Sequence, residues 1–371
     1  MTTVFNLDSD SFPVIRKTSS FVFWNRARIF IMILTLICLT LSQINSLTFT
    51  FTVICMDDVV EEFHRSNQTG QHFMESSTQK AFLFSGPAIG ATIGLIPATP
   101  LLSRFGVRKV LTFCGICSAF GSFLFPISVA SNYYLVVFCR ILQGIGISVI
   151  YTAVAVIPGQ WSPNNEIGTF LAVLSCALQI SNVICMSVSG ILCESSFGWR
   201  SIYYIFGIST FVFYAIFFFT HKDNPTVHRN VSHKELSQIQ NGKAEIKKRE
   251  AVPYKAILFD RTVITCIISS LGGNLGFFML VLYGPTYLKA VLNFRSFTKI
   301  VAAQISDRLT FVSEKSRFVF FATISQVGMA AGFAVLAWTS NRVVAQIAYT
   351  FAIVTSGINV MGVVKCLQLE F

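Results

Sequence analysis

A single arginine, Arg140, stands inside the apolar stretch FCRILQGIGISVIYTAV. An ionisable side chain within a membrane segment is costly and tends to mark function. Gln143 follows at i+3, on the same helical face, and Gly144 and Gly146 let another helix, or a solute, approach the backbone closely. A guanidinium facing an aqueous cavity is suited to hold a carboxylate or phosphate through two parallel N–H donors. The competing reading is an arginine that snorkels to the headgroups from about 9 Å below the end of its segment. If Arg140 binds an anion, Gln143 and Tyr151 are the neighbours expected to line the site.

A second set of residues bears on gating. The stretch PLLSRFGVRK (100–109) sets Arg104, Arg108 and Lys109 around Gly106, between two apolar runs. A related stretch, QISDRLTFVSEK (304–315), carries Asp307 and Arg308. WSPNNE supplies Glu166, which either pairs with Arg104 or Arg108 or stays solvated. A single exposed pair is worth under about 1 kcal/mol, enough to bias an equilibrium without locking it.

Enzyme chemistry finds no support. No Asp, Glu or His lies mid-span to act as acid, base or metal ligand. All five histidines (His64, His72, His221, His228, His233) fall in loops without zinc spacing, so neither a metal nor a cofactor is expected. Cys114 and Cys117 read as small packing residues. Cys55 and Cys193 both fall near the outer surface, where they could form a bridge.

The elements that must carry these residues follow from composition. The chain has 371 residues, 53% of them hydrophobic and 12% charged, against about 25% charged in soluble domains. Its net charge of +11 sits between apolar runs rather than on one folded stripe, so it speaks for membrane topology and not for nucleic acid. A span needs about 20 apolar residues. Nine such runs occur, at 29–55, 81–102, 110–130, 134–157, 168–191, 201–220, 262–288, 318–339 and 343–364. Each reads as a helix, because lipid offers backbone groups no partner. The expected fold is an all-α polytopic membrane bundle: a tail (1–28), a six-helix half (29–220), a central loop (221–261) and a shorter second half (262–371).

Charge sets the orientation. Arg16, Lys17, Arg26 and Arg28 precede the first run, and the 100–109 and 221–261 loops on the same face are also basic. The opposite loop carries Asp57, Asp58, Glu61 and Glu62 with the sequon Asn67-Gln68-Thr69. The N-terminus is therefore expected in the cytosol and Asn67 outside and glycosylated; the match at Asn230 falls on the cytosolic side and should stay unmodified. The first run is too long for the core of a cleavable signal. In the central loop, Ser232 with Glu235 makes a capping box and Val231 with Leu236 a staple, which predicts an amphipathic helix from 233 to about 241.

SRFGVRK resembles the signature loop of the major facilitator superfamily, RILQG its fourth-helix motif, and GWRSIYYIFG is similar to the family as well. With NPTVHRNVSHKEL and VPYKAIL, the pattern resembles more narrowly the anion/cation symporter family that contains sialin, vesicular glutamate transporters and sodium-phosphate cotransporter relatives. The resemblance implies alternating access by two six-helix halves around a central site. It also implies movement of an organic anion or phosphate with protons or sodium, with Arg140 as the fourth-helix arginine. Ile147 stands where sialin-like members often carry a coupling glutamate, Ser103 where the superfamily usually has aspartate, and no arginine appears near Ser46 or Gly273. These departures argue against proton coupling and a glutamate-like substrate. Between Leu288 and Asp307 no full span fits, so the second half is expected to hold about three helices and the chain alone not to transport. The rival from another class is a non-transporting receptor or scaffold. Sparse polar residues in the spans favour that rival, and the paired signature loops oppose it.

Overall fold

The computed structural model describes residues 26–65, 72–240 and 316–339, with scattered positions between 259 and 276 and between 344 and 352. Among the described residues every regular element is helical. The main helices are α1 (Ala27–Thr52), α2 (Asp57–Arg65), α3 (Ser77–Ser131), α4 (Tyr133–Ser148), α5 (Ile150–Trp161), α6 (Ile167–Ser175), α7 (Ala177–Glu194), α8 (Gly198–Thr220) and α9 (His233–Gln240). Among the described residues six apolar segments are long enough to cross a membrane: Ala27–Cys55, Ser77–Ala98, Pro100–Ser131, Tyr133–Trp161, Asn164–Glu194 and Gly198–Thr220. They match the first six expected runs. A further helix, Ser316–Trp338, coincides with the run at 318–339. The interval 288–307, Asp307, Arg308 and Asn67 lie outside the described residues.

The local signals explain the boundaries. Within α1 the hydroxyls of Thr35, Thr48 and Thr52 donate back to carbonyls one turn earlier, which satisfies them without leaving the helix. Spans two and three run together as α3, broken at Gly106, whose φ of 81° and ψ of 165° only glycine adopts at low cost. Asn132 ends α3 in extended backbone and caps α4, its side chain accepting from the Tyr134 N–H at 3.1 Å. Span four is interrupted at Val149 and span five at Cys176.

Two apolar clusters hold the six spans. One, near the face bearing Arg28 and residues 221–240 (the basic face), includes Ile31, Leu34, Leu111, Ile157, Trp161 and Phe217. The other, near the face bearing α2 (the acidic face), includes Phe49, Phe125, Val136, Trp199 and Tyr203. A polar layer separates them. There Ser42 meets the Tyr214 hydroxyl at 2.7 Å, and Asn45 donates to Ser118 and Thr210 at 3.2 and 3.0 Å. Spans two and four touch backbone to backbone: a Cβ at Gly90 would run into the Ile141 carbonyl, and one at Gly144 into that of Pro87. Small residues at such crossings are how membrane helices pack without a hydrophobic driving force.

The faces are tied off differently. On the acidic face Cys55 and Cys193 form a disulfide, with Cα atoms 6.0 Å apart, and Trp199 donates to the Asp58 carboxylate at 3.0 Å. On the basic face α9 forms as expected and docks through buried Val231 and Ile239. Ser232 caps it, accepting from the Glu235 N–H at 3.1 Å. The expected return half of the capping box is replaced: Glu235 turns to α1 and accepts from the Arg28 N–H at 2.9 Å.

Candidate functional site

Arg140 sits in α4 with no exposed surface. Its Nε donates to the Leu83 carbonyl at 3.0 Å, and its Nη1 to the Ser46 carbonyl at 3.0 Å and to Gln143 Oε1 at 2.6 Å. The Leu83 carbonyl is available for a covalent reason. Its helical partner would be the N–H of residue 87, which is Pro87 and has none. Gln143 is held in turn by donating to Ser122 Oγ at 3.0 Å, and the Phe49 ring lies 5.0 Å from the guanidinium carbon. This geometry is not that of a snorkelling arginine, because the guanidinium is turned onto carbonyls of the first and second spans.

Among the described residues no carboxylate pairs with Arg140, and its Nη2 is buried without a hydrogen-bond partner. A desolvated cation satisfied only by neutral acceptors, with two N–H bonds to spare, is suited to bind a carboxylate or phosphate oxygen. Tyr151 stands apart. It lies eleven residues on, about 16 Å along the axis, beyond the break at Val149, with 55% of its surface exposed.

The gating residues gather at the basic face around a group that sequence reasoning missed, Asp223. Its carboxylate accepts from the Arg108 N–H at 2.8 Å, capping the helix where it resumes after Gly106. A Cβ at Gly106 would strike the same carboxylate. The Arg108 guanidinium lies over Phe218 at 4.8 Å and that of Arg104 over Phe105 at 5.7 Å. Glu166 does not reach either arginine; it pairs with Arg28 at 3.3 Å, so the anticipated Arg104 or Arg108 partnership is replaced by one with the first span. An aspartate in the loop just after the sixth span was the available signal for Asp223, but a lone loop acid is common.

Next to this cap lies His221. It is fully buried and stacked on Phe217, with neither ring nitrogen hydrogen-bonded, and its Nε2 is 3.8 Å from Asp223 Oδ1. Burial, then the nearby His228, Arg108 and Lys222, push its pKa down to about 3, so the ring is neutral. Burial also raises the Asp223 carboxyl, against the pull of the Arg108 N–H and guanidinium. Trp161 closes the cluster, its indole N–H donating to the Lys222 carbonyl at 3.1 Å.

Comparison with known proteins fits this architecture. The Major Facilitator Superfamily model matches residues 33–370. The chain is similar to a putative inorganic phosphate cotransporter of Drosophila melanogaster, at 29% identity over 62% of this chain and 44% of that protein. It is similar to human sialin at 25% identity, over 62% and 46%, and to bovine vesicular glutamate transporter 1 at 24%, over 55% and 38%. The matched region thus spans less than half the length of these relatives. They are members of the anion/cation symporter family that the sequence resembles. In fold, the chain is like the partially occluded, inward-open xylose transporter XylE of E. coli, with a TM-score of 0.66 at 16% identity, over 92% of this chain and 87% of that one. The molecule is an all-α, multi-pass integral membrane protein.

Proposed function

We propose, for a chain that belongs to the Major Facilitator Superfamily, that its six-helix half carries the binding charge of an alternating-access transporter for a small anion, an organic acid or phosphate. One observation carries the reading: Arg140 is a buried mid-span cation with no counter-ion among the described residues and a free Nη2. The phosphate cotransporter and sialin relatives support the solute class.

An incoming anion supplies the missing negative charge, and Gln143 orients the fork through Nη1. Binding is then strongest where water is excluded around the pair, which favours closure of the second half over the first. Gly106, Asp223 and the Arg108 backbone form the stop on the basic face, with the Arg28–Glu166 pair beside it. Arg104 flanks this stop, and Asp307 and Arg308 are its proposed counterparts in the second half. Tyr151 serves a vestibule toward the same face rather than the charge itself. Coupling to protons or sodium falls to groups elsewhere, since among the described residues no carboxylate or histidine joins the Arg140 cluster. In this reading the basic face is cytosolic, at the plasma membrane or an intracellular vesicle. The disulfide and Asn67 face an oxidising, glycosylating compartment.

The test is binding and vesicle uptake of labelled phosphate and organic anions, compared with Arg140→Ala. The expected result is loss of saturable binding in the variant. Equal binding by both proteins would sink the assignment, and binding without uptake would favour a receptor or scaffold.

A further inference from the structure

Arg140 is sealed as well as unpaired. Neither it nor Gln143 has exposed surface, and Leu83 has none either. An anion therefore reaches the guanidinium by exchange with a group already there, and the hydrogen bonds single out which one.

A guanidinium grips a carboxylate or phosphate through a pair of nitrogens, either Nε with Nη2 or Nη1 with Nη2. Here neither pair is complete. Nε is spent on the Leu83 carbonyl. Both N–H bonds of Nη1 are also spent, one on the Ser46 carbonyl and one on Gln143 Oε1. Nη2 is unpartnered, but alone it cannot form the fork. A grip on both oxygens of an anion needs one of the present acceptors to yield.

The two carbonyls are poor candidates. They belong to the main chain of α3 and α1 and turn only with their helices. The Leu83 carbonyl has a further reason to stay, since Pro87 offers it no helical N–H to fall back on. Gln143 differs, because its acceptor ends a flexible side chain. Its amide is not stranded when Oε1 leaves Nη1: Nε2 already donates to the Ser122 hydroxyl at 3.0 Å, and a hydroxyl donates as well as accepts. The trade also favours the solute. An amide oxygen is neutral, whereas a charge-assisted bond to an anionic oxygen is roughly twice as strong.

We propose that Gln143 is a placeholder: its amide oxygen fills the fork of Arg140 in the empty site and is exchanged for one oxygen of the incoming anion. This rests on the reading of Arg140 as the anion charge. It adds that the solute carries two oxygens on one centre, as a carboxylate or phosphate does. Gln143 is then a positioning residue that holds the empty fork and sets affinity by competing for it. Removing a residue that supported the solute would weaken binding; removing a competitor strengthens it.

The test uses the full chain in nanodiscs, with inorganic phosphate, acetate and bromide as probes. Gln143→Met keeps the bulk and removes the amide, which leaves an Nη1 N–H unpartnered in the empty site. Phosphate and acetate should each bind about tenfold more tightly than to the parent chain. Bromide has a single point of contact and should gain far less. Without ligand the melting temperature should fall, while the rise induced by phosphate should grow; a merely structural lesion would not enlarge that rise. If the methionine variant does not fold, Gln143→Asn, which draws the amide back by one methylene, carries the same expectation. Gln143→Glu sets a carboxylate in the fork and should weaken phosphate about tenfold or more. Unchanged or weaker oxyanion binding by the methionine or asparagine variant, an equal gain for bromide, or undiminished binding by Gln143→Glu would each overturn the proposal and leave the Arg140 reading standing. Equal phosphate binding by the parent chain and Arg140→Ala would overturn both.

Discussion

Arg140 and Arg28 belong to the same six-helix half and neither is free in solvent, yet their surroundings differ. Arg28, at the basic face, has Glu166 3.3 Å from its guanidinium and Glu235 on its backbone N–H. Arg140, in the polar layer, has two backbone carbonyls and an amide oxygen. Carboxylates hold a positive group in place and close its account of charge. Neutral acceptors hold it in place and leave the charge for something that arrives later. The contrast separates a stop, which must make and break with small energies, from a binding site, which must stay short of one anion.

The largest effect expected from disturbing the stop is at Gly106. Gly106→Ala places a side chain in a left-handed conformation that costs about 1–3 kcal/mol, and its Cβ meets the Asp223 carboxylate. Thermal melting of the purified chain should fall, and residues 100–109 should become more open to proteolysis. Unchanged melting would mean that the Asp223 cap is not a constraint.

A smaller change should sharpen the contrast by splitting stability from binding. Pro87→Ala restores an N–H that competes for the Leu83 carbonyl and so loosens Arg140, while removing a helix-breaking ring. Anion affinity should fall about threefold to tenfold as the melting temperature holds or rises. A parallel fall in both would point to packing instead.

The stop should also be sensitive to pH through His221. Its pKa in the folded chain is depressed to about 3 from an ordinary 6.5, so the unfolded chain binds a proton that the folded one refuses. Stability is then present above about pH 6.5 and is lost as pH falls, by up to about 1.4 kcal/mol per unit. Asp223, raised by burial, acts oppositely at lower pH, so melting is best compared between pH 7 and 5.5. His221→Phe should flatten the profile there. An unchanged slope would assign the pH dependence elsewhere. The least effect belongs to Glu166→Gln: the Glu166 side chain is 39% exposed, and its loss should shift stability by well under about 1 kcal/mol.

What the sequence made legible follows physical range. The six spans could be read because apolar length is a local property, and α9 because its cap and staple lie within six residues. The Arg140–Gln143 pair was legible from its i+3 spacing. The groups that immobilise Arg140 were not, since backbone carbonyls have no residue code; only Pro87 marked one of them, and a proline inside a span has many meanings. The pattern Gly86, Gly90, Gly94 was a readable sign that the second span presses on the fourth. Arg28 with Glu166 joins positions 138 residues apart, and Asp223 with Arg108 positions 115 apart. Periodicity says nothing about such pairs.

The difference between the two arginines is tested most directly by conservative substitution with a binding readout. Arg140→Lys keeps the charge and removes the planar fork, whereas Arg28→Lys keeps what a simple ion pair needs. Equilibrium binding of labelled organic anions and phosphate to each variant is the measurement. Affinity is expected to fall about tenfold or more for Arg140→Lys and to stay within about twofold for Arg28→Lys. Equal affinities in the two variants and the parent chain would contradict an anion site at Arg140.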